Sequence, residues 1–208
     1  MSRKPTHDQK VPSLASLASL ARTKGVLRSR DLTARGFHSE SIRRLCGQGV
    51  LVRTGRGLYI SSKAALTENH SLAEAAHRVS HGVICLLTAL KFHDLGTQNP
   101  PEVWMAIAPK ARKPAADSPR LRIVRFSGEA LSEGIEFHRI EGIDVRITSA
   151  AKTVADCFKY RNKIGLDVAL EALRDGLRKR KFTRTELLRF AAICRVARVI
   201  MPYLQAME

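Results

Sequence analysis

Residues 25–60 read GVLRSRDLTARGFHSESIRRLCGQGVLVRTGRGLYI, and few folds accommodate such a segment. Two short helical patterns are separated by Gly36 and closed by Gly47 and Gly49. Two β-rich runs follow, 50–53 and 57–60, joined by Thr54, Gly55 and Arg56 as a small hairpin requires. Ahead of them, Leu14, Leu17, Ala18 and Ala21 share one face of a helical pattern that begins at Pro12 and ends at Gly25. Ser29 is placed to cap the second helix, with Asp31 in its first turn, and Ser39 to cap the third. Leu27 and Leu32 are expected to anchor the second helix. Ile42, Leu45 and Cys46 face inward from the third, which turns Glu40, Ser41, Arg43 and Arg44 wholly or partly outward. Leu51 and Tyr59 are expected against the helices, with Arg53 and Arg56 near the hairpin tip. This is the order of a helix-turn-helix followed by a wing.

Charge gives that segment a partner. The 208 residues suffice for two domains, and Lys plus Arg outnumber Asp plus Glu by 36 to 19. The formal charge of +17 points to a polyanion. Residues 1–62 hold 12 basic and 3 acidic side chains, against 24 and 16 in the other 146, so the excess is densest where the winged pattern lies. Residues 1–10 read as a polar, basic arm. A helix fits the major groove, and Arg43, Arg44, Ser39 and Ser41 lie where a recognition helix presents its readers. Arg28 and Arg30, at the start of the second helix, suit phosphates, and Arg53 and Arg56 suit the backbone or an adjacent minor groove. For each arginine a phosphate contact is the commoner kind.

The rest of the chain is mixed. Ser71 and Glu74 are spaced for a capping box, opening a helix with Leu72, Ala75, Ala76 and Val79 on one face. The apolar run from Val83 reads as one buried helix over about 82–93. Strands are expected over 102–108, 121–126, 136–140 and 143–147, the last two a hairpin around Glu141 and Gly142, with a brief helix over 128–133. Helices resume behind Ser149 and Asp167 as caps, and a second capping box, Thr183 with Glu186, opens another. Pro202 must kink or divide the last helical segment.

Signs of catalysis are missing from the sequence. It contains no HExxH, P-loop, GxGxxG or G-x-S-x-G motif. Zinc on His77 and His81 would need a third ligand, and His70 is the nearest further histidine. Glu136, Glu141 and Asp144 lie in the strand region but in no D-then-ExK pattern, so metal-dependent nuclease chemistry has little support. Cysteines 46, 85, 157 and 194 form no CxxC pair and have mostly apolar neighbours, as free thiols do in a reducing compartment. No stretch reaches the length of a membrane span, and the start lacks an apolar core with a cleavage site, so a cytoplasmic protein is expected.

The chain resembles the AbiEi-type antitoxins and transcriptional regulators of bacterial type IV toxin–antitoxin systems. The likeness rests on residues 25–60, on SLAEAAHRVSHGVICLLTALKFHDLG with the strand VWMAIAP, and above all on ITSAAKTVADCFKYRNKIGLDVALEALRD. It implies a winged helix that binds inverted repeats in the operon's own promoter and represses it. It also implies a C-terminal domain that counters a nucleotidyltransferase-like toxin without needing a stable complex. Arg43, Arg44, Arg53 and Arg56 fall where that family's recognition helix and wing lie. Lys152, Asp156, Arg161 and Lys163 match the polar positions of its C-terminal phrase, although Asp156 could simply pair with Lys152 or Arg161.

The expectation is an α/β (α+β) protein. A winged helix-turn-helix over 10–62 precedes an α/β domain over 70–208, a small mixed sheet flanked by helices. It binds double-stranded DNA as an autorepressor and antitoxin, is a monomer in solution that can bind DNA cooperatively, and uses no catalytic residue, metal or cofactor. The alternatives are a DNA-processing or accessory nuclease targeted by the winged helix, marked by converging carboxylates, and a winged-helix protein-interaction module, marked by cover over Arg43 and Arg44.

Overall fold

A computed structural model of the protein describes residues 13–24, 26–62, 68–114 and 119–207. The expected arm over 1–10, the start at Pro12, Gly25, and parts of the segments after 62 and 114 lie outside them. The chain divides into two compact units, Met1–Thr67 and Glu68–Glu208.

The first unit runs α1 (Leu14–Lys24), β1 (Val26–Arg28), α2 (Ser29–Ala34), α3 (Ser39–Gly47), β2 (Leu51–Gly55) and β3 (Leu58–Ser61), a winged helix-turn-helix. Leu17 and Ala21 of α1, Leu32 of α2, Ile42 and Leu45 of α3 and Leu51 of β2 close one apolar core with Leu27 and Phe37. Tyr59 packs against it, partly buried. Leu27 is buried as an anchor should be, and it lies in a strand ahead of the second helix. β1 pairs antiparallel with β3, Leu27 opposite Tyr59, and gives a three-stranded order β1-β3-β2. Ser29 and Ser39 are the first helical residues, not the caps. Arg28 and His38 hold the boundary positions in extended backbone, with no side-chain cap bond. Gly36 (φ +81°) makes the turn between α2 and α3, and Gly57 (φ +75°) the turn of the wing, both in the left-handed region that a β-carbon disfavours.

The second unit begins with α4 (His70–Arg78), β4 (Val83–Ile84), α5 (Leu86–Phe92), β5 (Val103–Ile107), β6 (Leu121–Arg125) and α6 (Glu129–Ser132). It continues with β7 (Ile135–Ile140), β8 (Ile143–Thr148), α7 (Ala150–Lys159), α8 (Arg161–Ile164), α9 (Leu166–Arg178), α10 (Arg184–Ile193) and α11 (Ala197–Gln205). Its sheet has five strands, ordered β6-β5-β4-β8-β7, where sequence gave reason to expect four. The extra strand, β4, occupies the start of what reads as one buried helix. Val83 and Ile84 pair antiparallel with Ala106 and Met105, and Ile84 pairs parallel with Ile147. β5 is buried along its whole length, as an interior strand should be. α7 is buried from Ala150 to Phe158 and packs against α5, α9 and α10, which makes it the central helix of this unit.

Capping follows the expectations in part. Ser149 accepts from the Lys152 amide, and the Thr183–Glu186 box is complete, Thr183 N–H donating to Glu186 Oε2 at 2.8 Å. Ser71 and Glu74 form no box: α4 starts at His70 behind Asn69, and Glu74 is buried. Asp167 does not cap α9, which starts one residue earlier behind Gly165. Pro202 lies inside α11.

A glycine in α9 tests the packing. An alanine inside a helix ordinarily gains about 1 kcal/mol over glycine. At Gly176, however, a β-carbon would collide with the buried ring of Phe182. Gly176→Ala is therefore expected to destabilise by about 1–3 kcal/mol, the usual cost of overpacking. Denaturant unfolding followed through Trp104, the single tryptophan and part of β5, reads this unit directly. A midpoint equal to or above that of the parent would contradict the contact.

Candidate nucleic-acid interface

The turn at Gly36 leads from α2 into α3, and burial of Ile42 and Leu45 fixes the rotation of α3. Glu40, Arg43 and Arg44 are thereby exposed, Ser39 with them, and Ser41 is half-buried. Both arginines are exposed, and no acidic or apolar cover over them stands among the described residues. Arg30 stands at the start of α2, its side chain 82% exposed and 3.7 Å from Asp31. Arg28 is half-buried at the end of β1 and holds the boundary of α2. On the wing, Arg53 and Arg56 are exposed, and the Arg53 Nε–H donates to the Gly55 carbonyl at 3.2 Å, which orients its guanidinium at the hairpin tip. The base of the wing packs on the end of α3: burial pushes the Cys46 thiol up, with the Arg53 cation opposing. Helix and wing thus present their cations from elements packed together in the first unit.

The four residues singled out in the second unit separate into two kinds. Lys152 and Asp156, one turn apart on α7, are both buried, and the Lys152 ammonium donates to both carboxylate oxygens, at 2.5 and 2.6 Å. The Cys194 thiol donates to the same carboxylate at 3.2 Å, and Lys152 Nζ lies 4.9 Å from the Phe126 ring centre. Burial pushes the Asp156 carboxyl up, against the Lys152 charge and the two hydrogen bonds that pull it down. Arg161 takes no part: its guanidinium donates to the Phe158 carbonyl at 2.9 Å. Lys163 is exposed over the Tyr160 ring. Beside Asp156 the fold also gathers Arg125, Lys159, Tyr160 and Arg195, which no motif or spacing picks out of the sequence.

The strand-region carboxylates do not converge. Asp144 pairs with Arg139 at 2.8 Å, Glu136 with His138 at 3.1 Å, and Glu141 with His70 at 2.7 Å. The last contact gives His70 a carboxylate partner. No group of three or more His, Cys, Asp or Glu among the described residues is placed to hold a metal ion. No helix among them is long and apolar enough to cross a membrane.

Residues 16–61, the helices and wing just described, match the family model "Transcriptional regulator, AbiEi antitoxin". The first unit contains an AbiEi-type regulator domain. The description of that family model is of transcriptional regulators. The chain is similar in fold to the RV2827C protein from Mycobacterium tuberculosis, with a TM-score of 0.59 over 89% of this chain and 73% of that one. At 16% identity that likeness is one of fold alone. No curated protein matches the chain.

Proposed function

We propose that the chain binds double-stranded DNA through α3 and the wing, at inverted repeats in its own promoter, and represses it. The observation that carries this reading is the exposure of Arg43 and Arg44 on a helix whose opposite face is fixed in the core, within a segment that matches an AbiEi-type regulator. Arg28, Arg30, Arg53 and Arg56, with Ser39 and Ser41, supply the surrounding contacts to phosphates. The second unit supplies the antitoxin role, countering a nucleotidyltransferase-like toxin without a stable complex.

A gel shift of the full chain on the DNA upstream of its own gene, beside a scrambled fragment, tests the DNA half. The upstream fragment is expected to bind more tightly, with affinity falling steeply as salt is raised, because each neutralised phosphate releases counterions. Equal affinity for both fragments would refute sequence-specific binding. Growth after co-expression with the product of an adjacent nucleotidyltransferase-like gene tests the other half: rescue by the chain is expected, and unrelieved toxicity overturns it.

A further inference from the structure

A cavity of about 560 Å³ opens beside Asp156, walled by the end of β6 and the segment after it, by α7 and by the end of α10. The proposed DNA surface makes no use of it. Its size lies within the range of about 300–1,000 Å³ that small-molecule sites occupy.

Its charges are unevenly placed. Arg125, Lys159 and Arg195 line it, against Glu129 and Asp156, and the Asp156 charge is already met by Lys152. Arg125 is held in position, one guanidinium nitrogen donating to the carbonyls of Ala108 and Ala111 at 2.6 Å each. The Lys159 and Arg195 side chains are exposed and form no ion pair among the described residues. Cationic wall groups of this kind suit a phosphate, which takes several charge-assisted hydrogen bonds at once.

The floor supplies the opposite chemistry. A buried ion pair adds little stability over apolar residues of the same volume. Here the pair lies against the cavity rather than in the closed core. A carboxylate offers about four acceptor positions. Lys152 and Cys194 fill three, which leaves Asp156 able to accept from a ligand. The neighbouring groups stay neutral: burial pushes the Cys194 thiol and the Tyr160 phenol up to about 12, so each remains protonated. The Tyr160 hydroxyl donates to the Arg125 carbonyl at 3.1 Å and fixes that wall. A ligand hydroxyl or amino group can donate to the remaining acceptor position of this floor, which a ligand carboxylate, having no proton to donate, cannot do.

We infer that this cavity binds a small phosphorylated ligand with the chemistry of a sugar phosphate. Its phosphate lies between Lys159 and Arg195, and a hydroxyl or amino group donates to Asp156. A free sugar phosphate and a nucleotide share that chemistry.

The test is calorimetric titration of the full chain with ribose 5-phosphate, AMP, GMP, adenosine and inorganic phosphate. At least one of the first three is expected to bind ten times more tightly than adenosine or inorganic phosphate. Preference for ribose 5-phosphate identifies a free sugar phosphate, and preference for AMP or GMP a nucleotide. Lys159→Ala with Arg195→Asn is expected to weaken that binding at least tenfold. Asparagine is chosen because Arg195 sits at φ +58°, which asparagine tolerates. Arg174→Ala with Lys181→Ala removes the same charge from outside the cavity and is expected to change nothing. Equal losses in both double variants would reduce the effect to general attraction to a +17 chain and overturn the proposal. So would the absence of binding, or inorganic phosphate binding as tightly as the organic ligands.

Discussion

Lys152→Met is expected to lower the stability of the second unit by about 3–5 kcal/mol, the cost of leaving one partner of a buried pair uncompensated. The Lys152 side chain is 0% exposed and methionine fills its place, so no water takes over the ammonium's position, while Asp156 keeps only its narrow opening to the cavity. Methionine fills the same volume, and the loss therefore reads charge rather than a cavity. The double change Lys152→Met with Asp156→Leu is expected to recover most of it, because two apolar residues of matching size carry no desolvation cost. Acid should also rescue the single variant. Burial already raises the Asp156 carboxyl, and removing Lys152 removes the largest opposing influence. The folded variant then holds its proton to higher pH than the unfolded chain does. Its stability accordingly rises as pH falls through the folded-state value, and the gap to the parent narrows. Trp104 fluorescence during urea unfolding, at neutral and acidic pH, gives both numbers. A gap that is small, or that widens in acid, would show that Lys152 does not balance the Asp156 charge as described.

Arg43→Ala with Arg44→Ala is expected to abolish discrimination between the upstream DNA and a scrambled fragment. Each bidentate base contact is worth about 1–3 kcal/mol, so loss of two weakens specific binding by about 30-fold or more. Both side chains are exposed, and the core positions Ile42 and Leu45 are untouched, so folding should not suffer. Arg30→Ala is the informative contrast. From its exposed place at the start of α2 it is expected to weaken specific and non-specific binding alike and to lower the salt dependence by about one ion. Undiminished discrimination in the double variant would move the reading surface off α3, leaving the wing or the arm over 1–10 as its place.

The sequence carried the winged helix because its signals there are local. Gly36 marks a turn that needs positive φ, and Ile42 with Leu45 marks the buried face of one helix, whereas the turn of the wing falls at Arg56 and Gly57 rather than over 54–56. It concealed β1 and β4 because strands of three and two residues have no period of their own. Val26–Arg28 is a strand only through β3, and Val83–Ile84 only through β5 and β8. Cap positions showed the same limit. Ser149 and the Thr183–Glu186 box formed as spacing suggests, whereas Ser29, Ser39 and Ser71 sit one residue or more inside their helices, where a cap bond is not available. On α7 the one-turn spacing of Lys152 and Asp156 was legible, but it left Arg161 as an alternative partner, and the structure selects Lys152. The complete burial of the pair was not legible, because it depends on Phe126 and Cys194, distant in sequence.

The two-residue length of β4 bears on how this unit comes together. Its sheet consists of β7 with β8, joined by a tight hairpin, and of β5 with β6, bridged through a two-residue strand. The hairpin closes a short loop, whereas the contact of the Thr148 hydroxyl with the Ile84 carbonyl joins residues 64 apart in sequence. Closure entropy grows with loop length, and long-range pairing slows folding. The middle of the sheet should therefore be the last part to zip, held mainly by helices packing over it. Residues 83–84 would then set the pace of the whole unit's assembly while contributing few of its hydrogen bonds.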